Sequence, residues 1–321
     1  MALDQNLQGE VAATAKADKS AGFVRRVLGA FGGPTIGLIV MCIALTFISE
    51  YFFTADNLSN VLNQISDVGI MAAGATLVIL IAGIDLSVAG NMALTMMFTA
   101  WLYAEKQWPF VITLVAGLAL GALVGLVNGL LATYGRVQAF VATLATMSAC
   151  LGLALVITNG NTINGFPEWF VNLTSAELFG FIPLQAVLMI AIYAALAFWL
   201  RFRPSGRALY AIGGNEEVAR LSGIPVRLTK TFVYMIAGAL AAVAGWINMS
   251  TLDSAQPTAG ANYLLNVIAV LSGLEYVTPN IAFAVGADRE VEARRVATRG
   301  AWLTCIVGFP VAALLALLAR P

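Results

Sequence analysis

Uninterrupted apolar segments of about twenty residues constrain what this chain can fold into more than any other feature of its sequence. A helix needs about 20 consecutive apolar residues to cross a bilayer, whereas outer-membrane strands alternate in segments of about ten. The composition agrees, because 60% of the 321 residues are hydrophobic and only 11% are charged, against about 25% in a soluble domain. The sequence therefore predicts an all-α, polytopic helical membrane protein with about eight to ten transmembrane helices.

The apolar segments give an explicit list of expected spans. They cover residues 34–53, 58–83, 86–103, 110–134, 139–158, 183–200, 231–250, 263–286 and 300–319. The pair 58–83 and 86–103 is open to two interpretations, either two crossings or one crossing followed by a broken, partly re-entrant helix.

The distribution of Lys and Arg indicates which side of the membrane each loop occupies. Most of the 17 basic residues lie in the amino-terminal segment 1–33, in 201–230 and in 287–299, with Arg136 between two spans. The span list places all of these on one side, and basic loops are cytoplasmic by the positive-inside rule. We therefore expect residues 1–33 to be a cytoplasmic amino-terminal tail and 201–230 to be a cytoplasmic loop.

The loop 201–230, "RFRPSGRALYAIGGNEEVARLSGIPVRLTK", has a detailed pattern of its own. It predicts a turn at 204–206, a short apolar stretch at 208–212 and a chain break at Gly213 and Gly214. Asn215 is then the N-cap of a short helix that Gly223 ends. Two interpretations are open: a solvated connector lying on the headgroups, or a lever that inserts into a partner protein.

Five motifs carry a resemblance to a known family. They are "SGRALYAIGGNEEVARLSGIPVRLTK" in the loop, "AGIDLSVAG" at 82–90, "GLVNGLL" at 125–131, "FVATLATM" at 140–147 and "SAQPTAG" at 254–260. In this order and spacing the chain resembles the permease subunits of bacterial ABC importers for monosaccharides, of the ribose/xylose/arabinose/galactose type. The resemblance covers about residues 34–270, and it implies a multi-pass protein of the bacterial inner membrane.

The resemblance also implies partners. Two permease subunits pair in the lipid membrane, a cytoplasmic ATPase dimer binds below them, and a periplasmic sugar-binding protein delivers the sugar. The chain has no G-x-x-x-x-G-K-[ST] phosphate-binding motif, so ATP hydrolysis is expected in the partner and not here; no cofactor and no nucleic acid are expected. By resemblance, the helix that couples to the ATPase would contain Gly206, Gly213, Gly214, Asn215, Glu216, Ala219 and Gly223.

Transport of a neutral sugar requires hydrogen-bonding groups along the path. Our candidates for the transport pathway are Asp85, Ser87, Asn91, Asn128, Thr143 and Trp246. The wider set of polar groups that could line the path includes Asn63, Gln64, Ser66, Asp67, Thr95 and Thr146. Tyr263, like Trp246, is an aromatic ring that could stack on a sugar face. A Ser or Thr in a span often bonds to a carbonyl of its own helix instead, and Asn128 has the alternative of an interhelical hydrogen bond.

Asp85 needs a separate explanation, because a carboxylate at mid-membrane costs about 2.5–3.5 kcal/mol. It lies between Gly83 and Gly90, where a helix can start or break. Its carboxylate could cap free amide groups at that start, which we favour over direct contact with the sugar. A proton relay is the least favoured role, since the chain contains no histidine.

The carboxyl-terminal segment 271–321 departs from the family pattern. From about Leu274 it instead resembles a loop and flanking spans of multidrug and toxin extrusion transporters, through residues such as Gly286, Asp288, Arg294 and Trp302. This likeness leaves two alternatives beside the importer permease: an ion-coupled antiporter-like membrane protein, or a non-functional chimera.

Overall fold

The structure is a computed structural model, and it describes residues 40–178, 180–260 and 263. The tail 1–33 and the span expected at 300–319 lie outside these residues. Of the span expected at 263–286, the structure describes only Tyr263. The segment 271–321 itself also lies outside the described residues. The chain divides into two compact units, residues 1–54 and 55–321. In the first, residues 40–48 are helical and 49–54 are not, so the expected span 34–53 extends too far at its carboxyl end.

The second unit is almost entirely helical in its described part. Its helices are α1 (Ala55–Leu80), α2 (Val88–Ala104), α3 (Phe110–Thr133), α4 (Ala139–Ile157), α5 (Glu168–Ser175), α6 (Leu184–Phe202), α7 (Pro204–Gly214), α8 (Glu216–Leu221) and α9 (Val226–Leu252). Four two-residue strands form two antiparallel pairs: β1 (Ile163–Asn164) with β4 (Ser254–Ala255), and β2 (Glu177–Leu178) with β3 (Ile182–Pro183).

Five of these helices are long and apolar enough to cross a membrane, namely α1, α3, α4, α6 and α9. Large apolar side chains remain exposed on α3, α4 and α6, as at Val115, Val156 and Ile190. Such surface would be unfavourable in water and is favourable against lipid chains. The prediction of an all-α, polytopic membrane protein is confirmed.

The uncertain pair of spans is resolved as two helices separated by the non-helical segment 81–87. Helix α2 has 17 residues, and nearly all of them are buried. It packs against α3, α4 and α9. A helix that is apolar on all sides is expected at the centre of a helical bundle, and α2 occupies that position.

Helices α3 and α9 approach closely because glycines line their contact. A Cβ added at Gly121 would meet the carbonyl of Gly238, and one added at Gly125 would meet the backbone of Tyr234. Gly129 similarly faces Thr231. Lipid provides no hydrophobic drive between helices, so small residues that admit close backbone contact stabilise the pair.

The chain path gives this unit two opposite ends. Helix α6 begins just after β3 and ends just before α7, and α9 follows α8 and ends at β4. Helix α1 ends against α7, so its first residues lie at the other end. We call these the α5 end, with α5 and the four strands, and the α7–α8 end.

Candidate coupling surface and polar sites

The segment after α6 forms two consecutive helices joined at Asn215. This residue has extended backbone (φ −159°, ψ 107°), and its side chain accepts a hydrogen bond from the Val218 amide at 3.0 Å. Glu216 and Glu217 occupy the first turn of α8, where negative charge is favourable. Gly223 follows the helix with φ of +83°. The predicted cap and ending of this helix are confirmed.

The segment before Asn215 differs from prediction. Residues Pro204–Gly214 form one helix, so the expected turn at 204–206 is wrong. The break expected at the two glycines falls directly after them, at the extended residue Asn215. Proline is well suited to the first helical position, and the glycines fall in the last turn, where a helix ends anyway. Leu209 and Ile212, three residues apart, are both buried against the core, and this packing outweighs weak local propensity.

Helix α7 packs directly onto the ends of two membrane helices. A Cβ at Gly213 would meet the Leu80 carbonyl at the end of α1, and one at Gly206 would meet the backbone of Trp199 and Leu200 in α6. Ala219 of α8 is also buried. Helix α7 is therefore in backbone contact with the ends of both α1 and α6.

The outer surface of α8 combines apolar and charged side chains. Val218 and Leu221 are 57% and 74% exposed. Glu217 forms an exposed ion pair with Arg220, whose hydrogen bond and charge lower the pKa of the Glu217 carboxyl. Lys230 pairs with Glu216. This surface has the mixed character of a protein-binding site.

Three of the predicted pathway residues are joined in one buried network beside the helix break. The Asp85 carboxylate accepts hydrogen bonds from the Ser87 amide at 2.8 Å and from its hydroxyl at 2.6 Å. The Asn128 amide of α3 donates to the same hydroxyl at 2.7 Å. Tyr234 of α9 donates to the Ile84 carbonyl at 3.3 Å. The segment 81–87 is thus held by α3 and α9, and the Asp85 carboxylate bonds the amide that precedes α2.

The other three pathway candidates are placed differently. Asn91 donates to the carbonyls of Gly121 and Gly238 at 3.1 and 3.3 Å, at the α3–α9 contact. Thr143 bonds to the Ala139 carbonyl of its own helix at 2.8 Å, which is the alternative role expected for a Ser or Thr in a span. Trp246 packs against an apolar cluster at the core. Among the described residues no hydrogen bond joins Thr143 or Trp246 to the Asp85 network.

A second polar network was not selected from the sequence. The Asp67 carboxylate accepts from the Tyr263 hydroxyl at 2.5 Å and from the Asn248 amide at 3.5 Å, and Asn248 also donates to the Tyr263 hydroxyl at 2.7 Å. The sequence places Asp67 and Tyr263 only in the wider set of groups that could line the path, and it does not single out Asn248. The sequence does carry one sign of this network, because Ser59, Asn63 and Asp67 lie four residues apart and therefore on one face of α1.

Comparison with known proteins identifies the relatives of this chain. The family model for the branched-chain amino acid transport system / permease component matches residues 57–287, which extends into the atypical segment 271–321. The ribose import permease of Escherichia coli is 42% identical over 245 residues, covering 74% of each chain. The Bacillus subtilis ribose import permease is 41% identical over 240 residues, again with 74% of each chain covered.

A more distant relative is the D-allose transport system permease of Escherichia coli, 34% identical over 231 residues, with 72% of this chain and 71% of the relative covered. No solved structure was found that matches the chain. Each of these relatives is a permease, a transport component rather than an enzyme. The chain belongs to the branched-chain amino acid transport system / permease component family.

Proposed function

We propose that this chain is the transmembrane permease subunit of an ATP-binding cassette importer that moves a monosaccharide across the bacterial inner membrane. The observation that carries the proposal is the similarity over three quarters of the chain to ribose permeases. The family description names branched-chain amino acids, whereas the relatives reported above are sugar permeases. We infer the substrate class from these relatives and not from the family description. The alternatives of an antiporter or a chimera receive no support from these relatives.

The expected partners follow from this function. A separate ATPase dimer hydrolyses ATP in the cytoplasm, a periplasmic sugar-binding protein delivers the substrate, and a second permease subunit completes the path. The amino terminus then lies in the cytoplasm, which is consistent with the basic residues of 201–230. In this orientation α7–α8 faces the cytoplasm and the α5 end faces the periplasm.

Helices α7 and α8 are the part we propose to dock into the ATPase. Support comes from the exposed Val218 and Leu221 on the outer side, and from the backbone contact of Gly213 with the end of α1 on the inner side. The other residues of this coupling element are Gly206, Gly214, Asn215, Glu216, Ala219 and Gly223. Its N-cap Asn215 lies between α7 and α8, and the left-handed Gly223 lies between α8 and α9.

Asp85, Ser87 and Asn128 are proposed to shape the transport path by holding the break between α1 and α2. Asn91, Thr143 and Trp246 remain candidates beside that path. Because the Asp85 carboxylate bonds the amide that directly precedes α2, we assign it to positioning α2 rather than to direct contact with sugar.

The coupling proposal is tested by replacing residues 213–217 with a Gly/Ser linker of the same length and measuring co-purification of the ATPase subunit. We expect co-purification to be lost. The matched control is the same replacement at 158–162, a segment at the α5 end that is exposed at all positions except Thr158. Unchanged ATPase binding by the 213–217 variant would refute docking through this element.

The substrate class is tested by uptake into proteoliposomes that contain the importer with its ATPase and binding protein. We expect ATP-dependent uptake of labelled D-ribose, and none of labelled leucine. Uptake of leucine without ribose would refute the sugar assignment and favour an amino acid as substrate.

A further inference from the structure

A stripe of polar side chains runs along one face of the membrane helix α1. Ser59, Asn63 and Asp67 lie four residues apart, and residues at this spacing share a helix face. Ser59 donates to the Glu177 carboxylate at 2.9 Å, and Asn63 accepts from the Gln185 amide of α6. Asp67 accepts from Tyr263 and Asn248, as described above. Each residue of the stripe thus meets a polar partner from a different element.

Helix α9 supplies the facing side of this stripe. Asn248 reaches Asp67 at 3.5 Å, and Thr251, one turn further on, donates to the Gln185 side-chain carbonyl at 3.2 Å. Thr251 is exposed and Asn63 is half-buried, whereas Asp67 and Asn248 are each only 6% exposed. Ser59 and Gln185 at the outer end are buried as well, so Thr251 and Asn63 are the accessible members of these polar groups.

The direction of the stripe is defined by the chain path. Its outer residues lie near the start of α1, the start of α6 and the end of α9, which all belong to the α5 end. Beyond Asp67 the buried residues are apolar, beginning with Ile70 and Met71, which pack with Met92. The stripe thus stops part-way through the protein, on the side away from α7 and α8.

This network contains an unpaired buried acceptor and a buried carboxylate, two features that the Asp85 network shares. The Asn248 side-chain oxygen is buried and has no hydrogen-bond partner among the described residues, and an unpaired buried acceptor is unfavourable. A carboxylate inside a membrane protein is also costly where a neutral amide would join helices as well. Both groups are suited to a ligand that brings its own hydroxyl donors.

We propose that Asp67, Asn248 and Tyr263 form a hydroxyl-binding site that holds the monosaccharide after it enters from the α5 end, with Asn63, Gln185 and Thr251 at the entrance. A carboxylate, an amide and an aromatic ring are the groups that orient a neutral polyhydroxyl ligand. Sugar hydroxyls replace the internal hydrogen bonds one for one, so each exchange leaves the number of bonds nearly unchanged. This inference rests on the proposed import function.

The test uses Asp67→Asn and Tyr263→Phe in the full importer, reconstituted with its ATPase and binding protein. D-Ribose and 2-deoxy-D-ribose are the probes, and sugar moved per ATP hydrolysed is measured. Loss of a hydrogen bond to a charged group is expected to lower ribose movement per ATP about tenfold or more, with ATP hydrolysis within about twofold of wild type. The preference for ribose over the deoxy sugar should fall as well.

Asp56→Asn is the matched control, since Asp56 is an exposed carboxylate in the first turn of the same helix. It should transport like the wild type. Unchanged ribose movement per ATP in both site variants would overturn the inference, as would a loss explained entirely by less folded protein in the membrane. A wild-type importer that moves no monosaccharide would remove the proposed function and this inference together.

Discussion

At the scale of single residues, Asp85 illustrates how a buried carboxylate is accommodated in a membrane protein. It bonds the backbone amide and the hydroxyl of Ser87 through one oxygen, and Asn128 supports the same hydroxyl from the neighbouring helix. These bonds are local, within two residues along the chain, and they replace the hydrogen bonds that a continuous helix would have made. The carboxylate thereby stabilises the non-helical segment before α2.

Substitutions of Asp85 should separate this role from a need for charge. Asp85→Asn retains an acceptor and is expected to have a small effect. Asp85→Leu leaves the Ser87 amide and the Ser87 O–H without an acceptor, at a cost of about 1–3 kcal/mol. Thermal unfolding in detergent measures the difference, with Glu105→Leu at an exposed acid as the control. Equal effects of the two Asp85 substitutions would contradict the assigned role.

At the scale of secondary-structure elements, two adjacent glycines of α7 have different surroundings. Gly213 lies against the backbone at the end of α1, whereas a Cβ added at Gly214 would meet no described atom of another element within 4 Å. The two residues share a helix turn, so their intrinsic helix propensities are alike. Any difference between their alanine variants therefore reports the contact between α7 and α1.

We expect Gly213→Ala to push α7 away from α1, destabilising the protein by about 1–3 kcal/mol and weakening the coupling of ATP hydrolysis to uptake. Gly214→Ala is the matched control for the stability measurement alone and should be neutral or stabilising by about 0.5–1 kcal/mol. Thermal unfolding and sugar moved per ATP are the measurements. If both variants behave like the wild type, α7 does not transmit force through this contact.

At the scale of the whole second unit, long-range contacts tie the α5 end together. Asp253 has φ of +46°, in the left-handed region, and its carboxylate accepts from the Phe166 amide at 2.9 Å, 87 residues away in the chain. The adjoining β1–β4 pair and the Ser250 hydroxyl bond to the Phe170 carbonyl at 2.5 Å make the same connection. The end of α9 is thus joined to the segment between α4 and α6.

Two substitutions of Asp253 by residues of similar size should therefore differ in their effect on stability. Asn tolerates the left-handed conformation and keeps the acceptor, so Asp253→Asn is expected to be near neutral. Asp253→Leu loses the acceptor and adds backbone strain, with an expected loss of about 1–3 kcal/mol. Unfolding midpoints in detergent check the pair, and a stable Leu variant would show that the β1–β4 pair suffices without this side chain.

The sequence alone determined the class of fold, most span positions and the short helix capped by Asn215, because apolar run length, basic loops and capping chemistry are local properties. The family followed from motifs in register. Other features depended on tertiary contacts: buried Leu209 and Ile212 made Pro204–Gly214 a helix, and packing on three sides made α2 a central helix. The network of Asp67, Asn248 and Tyr263 joins residues up to 196 positions apart. No local pattern encodes such a meeting, since it exists only after the helices have packed.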